Sequence, residues 1–234
     1  MTIRALSLDF GGTLATETSS RAALYAKAAR DQGHVREEAE VARAMGVVHA
    51  RLSQVVDGCF RYDFPWFERF IDLVFGAELG LPRAAIDALR PGLFDTFADA
   101  RTFRLLPGSR AVIGAAKLRG LAIAVTSNWS PALPGLLDGL GLADDLDAVL
   151  VSATERLEKP DARLFGRMVE RLGVPAGDVL HVGNDLERDV RGALDAGLRA
   201  AWVDPSGTMS ATHPVDAPVM RSLHELPAIL ARPS

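Results

Sequence analysis

The sequence predicts an α/β fold: a doubly wound, mostly parallel sheet with helices on both faces, carrying an inserted α-helical unit. Three observations predict it. Five short, almost wholly apolar runs alternate with amphipathic stretches, each of those stretches is closed by a glycine, and residues 15–100 break the alternation with helical patterns only. Strands buried on both faces read as continuous apolar runs, and glycine just past the last turn is the usual helix stop.

The apolar runs are residues 5–10, 121–126, 148–151, 179–182 and 200–203, each ending in a polar or glycine-bearing loop. Helical patterns between them cover residues 109–119 before Gly120, 134–140 before Gly141, 162–172 before Gly173 and 187–196 before Gly197. Strand and helix repeating in this way place a ligand site at the carboxyl ends of the strands. In the interruption, residues 21–32, 37–55, 65–79 and 82–89 read as helices with no convincing strand among them, and the main rhythm resumes near Leu106-Pro107-Gly108. An insertion after the first strand hangs over that strand's carboxyl end and would serve as a lid, although a purely structural helical unit reads the same way. Residues 205–218 read as a loop, followed by a short helix near 223–230.

The chain has 234 residues, 48% hydrophobic and 24% charged, ample material for a packed core in one large domain or a main domain with a smaller partner. Its 21 Gly and 13 Pro are dispersed rather than periodic, which excludes collagen-like and disordered classes. Cys59, the single cysteine, has no partner for an internal disulfide, and no apolar run approaches the roughly 20 residues of a membrane span. Met1 to Arg4 lead straight into a run that carries an aspartate and ends in glycines instead of a cleavage site, so no signal peptide is expected and the location expected is cytoplasmic. With a net charge of -4 and its Arg and Lys scattered singly among acids, the chain lacks the one-signed stripe that nucleic acid requires. Of 26 basic residues only Lys27, Lys117 and Lys159 are lysines, which makes each lysine easy to weigh.

Chemistry-bearing residues gather at the strand ends. Asp9 lies near the end of the first run, and Phe10 after it leads into Gly11, Gly12 and Thr13. A carboxylate there costs desolvation energy unless it is partnered, paired glycines let backbone N–H groups turn towards an anion, and an aspartate can act as a covalent nucleophile. An aspartate that merely caps the following turn would look alike. Three further ends share the crevice: Thr126-Ser127-Asn128, Glu158-Lys159-Pro160-Asp161 and Gly183-Asn184-Asp185 with Asp189 beyond.

These four segments, in order and spacing, resemble the haloacid dehalogenase-like hydrolase superfamily, in the subfamily whose helical cap is inserted after the first motif. The resemblance covers residues 3 to 204 and includes Leu106-Pro107-Gly108 before the second motif. It implies a Rossmann-like core made of residues 1–14 and 101–234, with residues 15–100 as the cap. It implies that Asp9 is the nucleophile that forms an aspartyl-phosphate, that Ser127 donates to a transferring phosphoryl oxygen with Asn128 beside it, and that Lys159 screens the nucleophile from substrate charge. Gly11, Gly12 and Thr13 would border the phosphoryl group. Members that use Mg²⁺ hold it with the nucleophile, the backbone carbonyl two residues later, here Gly11, and a fourth-motif acid. The candidates for that acid are Asn184 and Asp185, ranked nearly equal, with Asp189 as a more distant contributor that orients waters or Lys159.

Two departures qualify what the resemblance implies. Phosphatases of the family carry a second aspartate two residues after the nucleophile, a general acid and base, and here that position is Gly11. Glycine offers a carbonyl to a metal but protonates nothing, a step worth about 10²–10⁴-fold. In the fourth motif the usual acid after the glycine is Asn184, which lowers the expected Mg²⁺ affinity. Haloacid dehalogenases have tyrosine and phosphonatases alanine where Gly11 stands, while the Lys-Pro-Asp and Gly-Asn-Asp segments look more like the phosphatase branch. An acyl phosphate, or an acid lent by the cap or by Glu17, would reconcile the glycine with hydrolysis.

Weaker candidates complete the reading. Arg61, in the aromatic-rich segment 60–66, would reach an anionic substrate, or else sit on the surface of a cap cluster. His181, inside a strand, reads as a hydrogen-bonded core histidine, and His34, His49, His213 and His224 show no ligand spacing with Cys59. The function expected is hydrolysis of a small phosphorylated metabolite through Asp9 with Mg²⁺, by a monomer or homodimer without membrane or nucleic-acid partners. The alternatives are a 2-haloacid dehalogenase and a degenerate member that binds a phospho-ligand or protein partner without turnover.

Overall fold

The computed structural model describes residues 2–212 and 215–231; His213, among the histidines weighed above, and Pro214 lie outside that range. The chain opens with β1 (Ala5–Leu8) and β2 (Ala15–Glu17) and passes into helices α1 (Arg21–Asp31) and α2 (Glu38–Arg51). A small hairpin of β3 (Val55–Val56) and β4 (Cys59–Phe60) leads to α3 (Phe64–Asp72), extended by a π-helical turn at Leu73–Glu78, and to α4 (Arg83–Ala98). Strand β5 (Phe103–Leu105) brings the chain back. There follow α5 (Ser109–Leu118), β6 (Ala122–Ser127), α6 (Leu133–Gly139), β7 (Ala148–Val151), α7 (Ser152–Glu155), α8 (Ala162–Leu172) and β8 (Val179–Gly183). A π-helical turn at Leu186–Arg191 runs into α9 (Gly192–Asp195), then come β9 (Arg199–Val203), α10 (Thr208–Thr212), β10 (Val219–Met220) and α11 (Leu226–Leu230).

The six-stranded sheet has the order β10-β9-β8-β1-β6-β7 with every pairing parallel. The chain moves from β1 outward to β6 and β7, then returns to the other side of β1 for β8 to β10, so the crossover direction reverses beside β1. That reversal opens a crevice at the carboxyl end of β1. Residue alternation fills both faces. Leu6, Leu8, Ile123 and Val125 pack with Val112 and Ile113 of α5, while Ala5, Ala124 and Leu150 pack with Leu164, Phe165 and Met168 of α8. Helix α8 starts where Asp161 accepts from the N–H of Arg163 and ends at Gly173, as its sequence pattern indicates.

The helices between β2 and β5 form their own core, in which Tyr25, Val41, Trp66, Ile71, Val74 and Leu93 are almost fully buried. Two chain passages join this helical unit to the sheet, and they pair with each other as the antiparallel ribbon β2–β5. This corrects the reading of residues 15–100 as free of strands, since β2 and the hairpin β3–β4 lie there. Each has three residues or fewer, too short for a period-2 signal. Helix α4 runs to Ala98, past the end expected at residue 89, and carries Pro91 inside it. The buried face of Ile86, Leu89 and Leu93 holds it together across the proline. Helix α2 is shorter than read, stopping at Arg51. In the segment read as a loop, Thr208–Thr212 form a helical turn anchored by Asp204, whose carboxylate accepts from the N–H groups of Gly207 and Ser210.

Candidate active site

Asp9 follows the last residue of β1, and its own N–H donates to the carbonyl of Val182 on β8. The strand end therefore fixes the backbone and points the carboxyl group into the crevice. Asp9 Oδ1 accepts from Lys159 Nζ at 2.7 Å and from Ser127 Oγ at 2.9 Å. Asp9 Oδ2 is the less encumbered oxygen, approached by Thr13 Oγ1 at 3.4 Å. The nucleophile candidate, the second-motif serine and the third-motif lysine thus meet at one carboxylate.

Lys159 reaches this place because Asn128 clamps its backbone: the N–H of Lys159 donates to Asn128 Oδ1 at 2.8 Å and Asn128 Nδ2 donates to its carbonyl at 3.0 Å. Asn128 is therefore a brace for Lys159. The ammonium lies between Asp9 and Asp189, whose Oδ1 it meets at 2.5 Å, and all three groups are buried. Asp189 Oδ2 accepts from the N–H of Asp185 at 2.9 Å. Both oxygens of Asp189 are thus bound to the protein, and its contact is with the lysine.

The electrostatics follow from one ammonium facing two carboxylates. Burial pushes Asp9 above the usual carboxylate range, with Asp189's charge adding to it, against the opposing pull of Lys159 and Ser127. Burial alone would also raise Asp189, but Lys159 and His181 hold it well below that range. For Lys159, burial acts to lower the pKa, and the two aspartates more than offset it, so the ammonium is charged. His181 is fully buried with Nδ1 2.9 Å from Ser7 Oγ and Nε2 3.5 Å from Asp189 Oδ1; burial pushes its pKa down, so it is neutral.

Asn184 and Asp185 part company. Asp185 Oδ1 accepts from the N–H groups of Glu187 and Arg188, capping the π-helical turn. Asn184 lies over the glycine turn instead, and its Oδ1 accepts from Thr13 Oγ1 at 3.2 Å, the hydroxyl that also approaches Asp9. Gly12 has φ +80°, and a Cβ there would stand 2.8 Å from Asn184 Nδ2, so a side chain at Gly12 would expel the amide. Among the described residues no group of three or more His, Cys, Asp and Glu side chains converges as a metal cage. Through the Thr13 hydroxyl, Asn184 Oδ1 is linked to Asp9 Oδ2. One carboxylate with a neutral amide oxygen is a hard-oxygen donor set that fits Mg²⁺, which keeps several waters and takes its remaining ligands from a phosphate.

Arg61 pairs with Glu158 at 3.1 Å, linking the segment after β4 to the residue before Lys159, and Glu17 is engaged by Arg21 at 3.0 Å. Sequence reasoning missed Trp129, and it weighed His49 only as a metal ligand and Tyr62 only as part of the aromatic-rich segment 60–66. The Trp129 ring covers Gly11 and packs edge-on against Phe10, with centroids 5.1 Å apart. His49 Nε2 lies 3.1 Å from the Tyr62 hydroxyl. Together with the loop after Ser127 and the helices α1 to α4, these residues line a cavity of about 630 Å³. Trp129 follows directly on the second motif, which is the one signal that could have found it.

The sequence pattern of the haloacid dehalogenase-like hydrolases matches residues 3–197. Haloacid dehalogenase-like hydrolase domain-containing protein 3 of Danio rerio is 27% identical over 97% of this chain and 96% of its own. Phosphoserine phosphatase of Thermus thermophilus is 36% identical over 59% of this chain and 56% of its own. The magnesium-bound putative HAD-hydrolase YfnB of Bacillus subtilis superimposes with a TM-score of 0.76 at 18% identity, covering 99% of this chain and 100% of that one. Other solved structures that share the fold, at 18–24% identity, include both phosphatases and haloacid dehalogenases.

Proposed function

The chain belongs to the haloacid dehalogenase-like hydrolases, and from that premise we propose that it is a Mg²⁺-dependent phosphatase of a small phosphorylated molecule, with Asp9 as the covalent nucleophile. One observation carries the reading: Lys159 and Ser127 converge on Asp9 Oδ1 while Oδ2 faces the glycine turn with a single long contact. Phosphatases among the relatives, acting on phosphoserine, ribulose 1,5-bisphosphate and N-acylneuraminate 9-phosphate, support the phosphoryl chemistry.

In this reading Asp9 attacks phosphorus, and the charged Lys159 opposes the effect of burial on the nucleophile while offsetting the phosphoryl charge. Ser127 orients the carboxylate and donates to a phosphoryl oxygen. Asp189 holds Lys159 in place, and Asn128 fixes its backbone. Asp9, the Gly11 carbonyl and Asn184 would hold Mg²⁺, which supplies charge neutralisation at the phosphate. Asp185, which caps a turn, stands outside that set. Residues 15–100 act as the cap that covers the crevice, residues 1–14 and 101–234 as the core.

The test is release of phosphate and of chloride from a panel holding acetyl phosphate, several monoesters and 2-chloropropionate. Phosphate release that needs Mg²⁺, stops with EDTA and falls at least about 10³-fold in Asp9→Asn is expected. Chloride release without metal would make the protein a dehalogenase instead. Binding of a phosphorylated ligand with no turnover and no covalent intermediate would make it a degenerate member.

A further inference from the structure

Two features of the site are unused by that mechanism. The first is that neither the Gly11 position nor Glu17 supplies a group to protonate a departing oxygen. A Cβ on Gly11 would stand 2.9 Å from the Trp129 ring, which Phe10 and Phe103 hold from two sides, so no side chain fits there. Glu17, a substitute acid by sequence, is bound to Arg21. The second is the cavity of about 630 Å³, which starts at Asn128 and Trp129 and extends among the cap helices. The chain holds 10 Phe, 3 Trp and 2 Tyr, and nine of these line the cavity. A helical unit needs apolar rings for its core. It does not need a void of ligand size between them, because an unfilled void forfeits contacts and stability.

We infer that the substrate is an aryl phosphate monoester: the cavity takes the aromatic ring, and the leaving group departs as a phenolate without a proton from the protein. The inference rests on the phosphatase reading and names its substrate class. In the first step an Asp9 oxygen forms a bond to phosphorus, the bond from phosphorus to the aryl oxygen breaks, and its electron pair leaves on the phenolate. In the second step water attacks phosphorus, the bond to Asp9 breaks and the carboxylate is restored. Both protons of that water leave with the product, dihydrogen phosphate, and the phenolate takes its proton from solvent.

A phenol has a pKa of about 10, so its anion departs unaided. An alkoxide is nearly as basic as hydroxide and needs the general acid that Gly11 cannot be. The cavity wall is largely aromatic. Phe67 and Phe94 stand edge to face at 4.7 Å between centroids, and the Arg21 guanidinium lies 5.5 Å from the Trp129 ring at the wall. Edge, stacking and cation–π contacts of this kind select aromatic over alkyl groups.

The test compares phosphate release from phenyl, benzyl and hexyl phosphate, glucose 6-phosphate and acetyl phosphate with Mg²⁺ present. Phenyl phosphate is expected to exceed hexyl phosphate by at least about 10²-fold in kcat/KM. Benzyl phosphate, with the ring but an alkoxide leaving group, should share the KM of phenyl phosphate and lose kcat. Across substituted phenyl phosphates the rate should climb steeply as the phenol pKa falls. Gly46 lines the cavity with open space beyond its α-carbon, so Gly46→Leu should raise KM for phenyl phosphate about tenfold. Hexyl or glucose phosphate hydrolysed as fast as phenyl phosphate, with that activity lost in Tyr62→Phe, would place an acid in the cap and overturn the inference. Turnover of acetyl phosphate alone overturns the aryl assignment and keeps the phosphatase; silence on every compound overturns both.

Discussion

Without the ammonium of Lys159, Asp9 and Asp189 would share one buried space with no cation between them. Breaking a buried, hydrogen-bonded charge set by removing one partner costs about 3–5 kcal/mol, chiefly through the uncompensated charge left behind. Lys159→Met should therefore lower stability by that amount in urea unfolding at pH 7, and Asp189→Asn added to it should restore part of the loss, because one surplus carboxylate has gone. Simple additivity of the two losses would show that the three groups do not act as a unit. His181 gives a second residue-scale prediction, with its sign set by burial. The folded chain holds His181 below its ordinary value of 6.5, whereas the unfolded chain binds a proton there. Its contribution is thus fully present above pH 6.5 and is lost as pH falls towards the folded value. Between pH 7.5 and 5.5 the wild type should lose about 1 kcal/mol more stability than His181→Asn. Equal slopes for the two proteins would refute a neutral buried His181.

Pro91 shows why helix α4 was misjudged from sequence. Arg90-Pro91-Gly92 reads as a stop, yet the helix continues because Leu93 belongs to the same buried face as Ile86 and Leu89. If that face carries the helix, then Pro91→Ala, at an exposed position, should add stability, since a proline inside a helix costs about 3 kcal/mol relative to alanine. Part of this is offset by the freer unfolded chain, so about 1–2 kcal/mol is expected as a rise in Tm. A fall in Tm would mean that the kink itself is needed. The same contrast explains what was legible. The central strands were readable because burial on both faces writes an unbroken apolar run, and Asp9, Ser127 and Lys159 because each follows such a run. Strands β2 to β5 were not, since two or three residues carry no period and their pairing is set by tertiary closeness. Neither could the sequence separate Asn184 from Asp185, because the choice depends on which side chain caps the turn that follows. Trp129 was hidden for a related reason: what it does is defined by the missing side chain at Gly11.

At the scale of the whole molecule, the inserted helical unit and the sheet each have a hydrophobic cluster, and Tyr62 and Phe97 pack against both. The ribbon β2–β5 carries both chain passages. The hairpin end of the helical unit is tied to the segment before Lys159 by the Arg61–Glu158 ion pair and by Arg156 Nη1 donating to the Gly58 carbonyl at 2.9 Å. Arg61 precedes Tyr62, which lines the aromatic cavity, so the ties form a latch beside it. The latch is imperfect: Arg61 Nε and Glu158 Oε2 are buried without partners among the described residues. Desolvation left unmatched weakens an ion pair, so the tie should be breakable by an opening motion. Hydrogen exchange reads that motion directly. In Arg61→Ala the amides of residues 55–60 should exchange about tenfold faster, equivalent to about 1.4 kcal/mol, while those of β1 keep their rate. Acceleration in β1 as well would mean global loss of stability, and no acceleration at residues 55–60 would mean that the ribbon alone sets the cap's position.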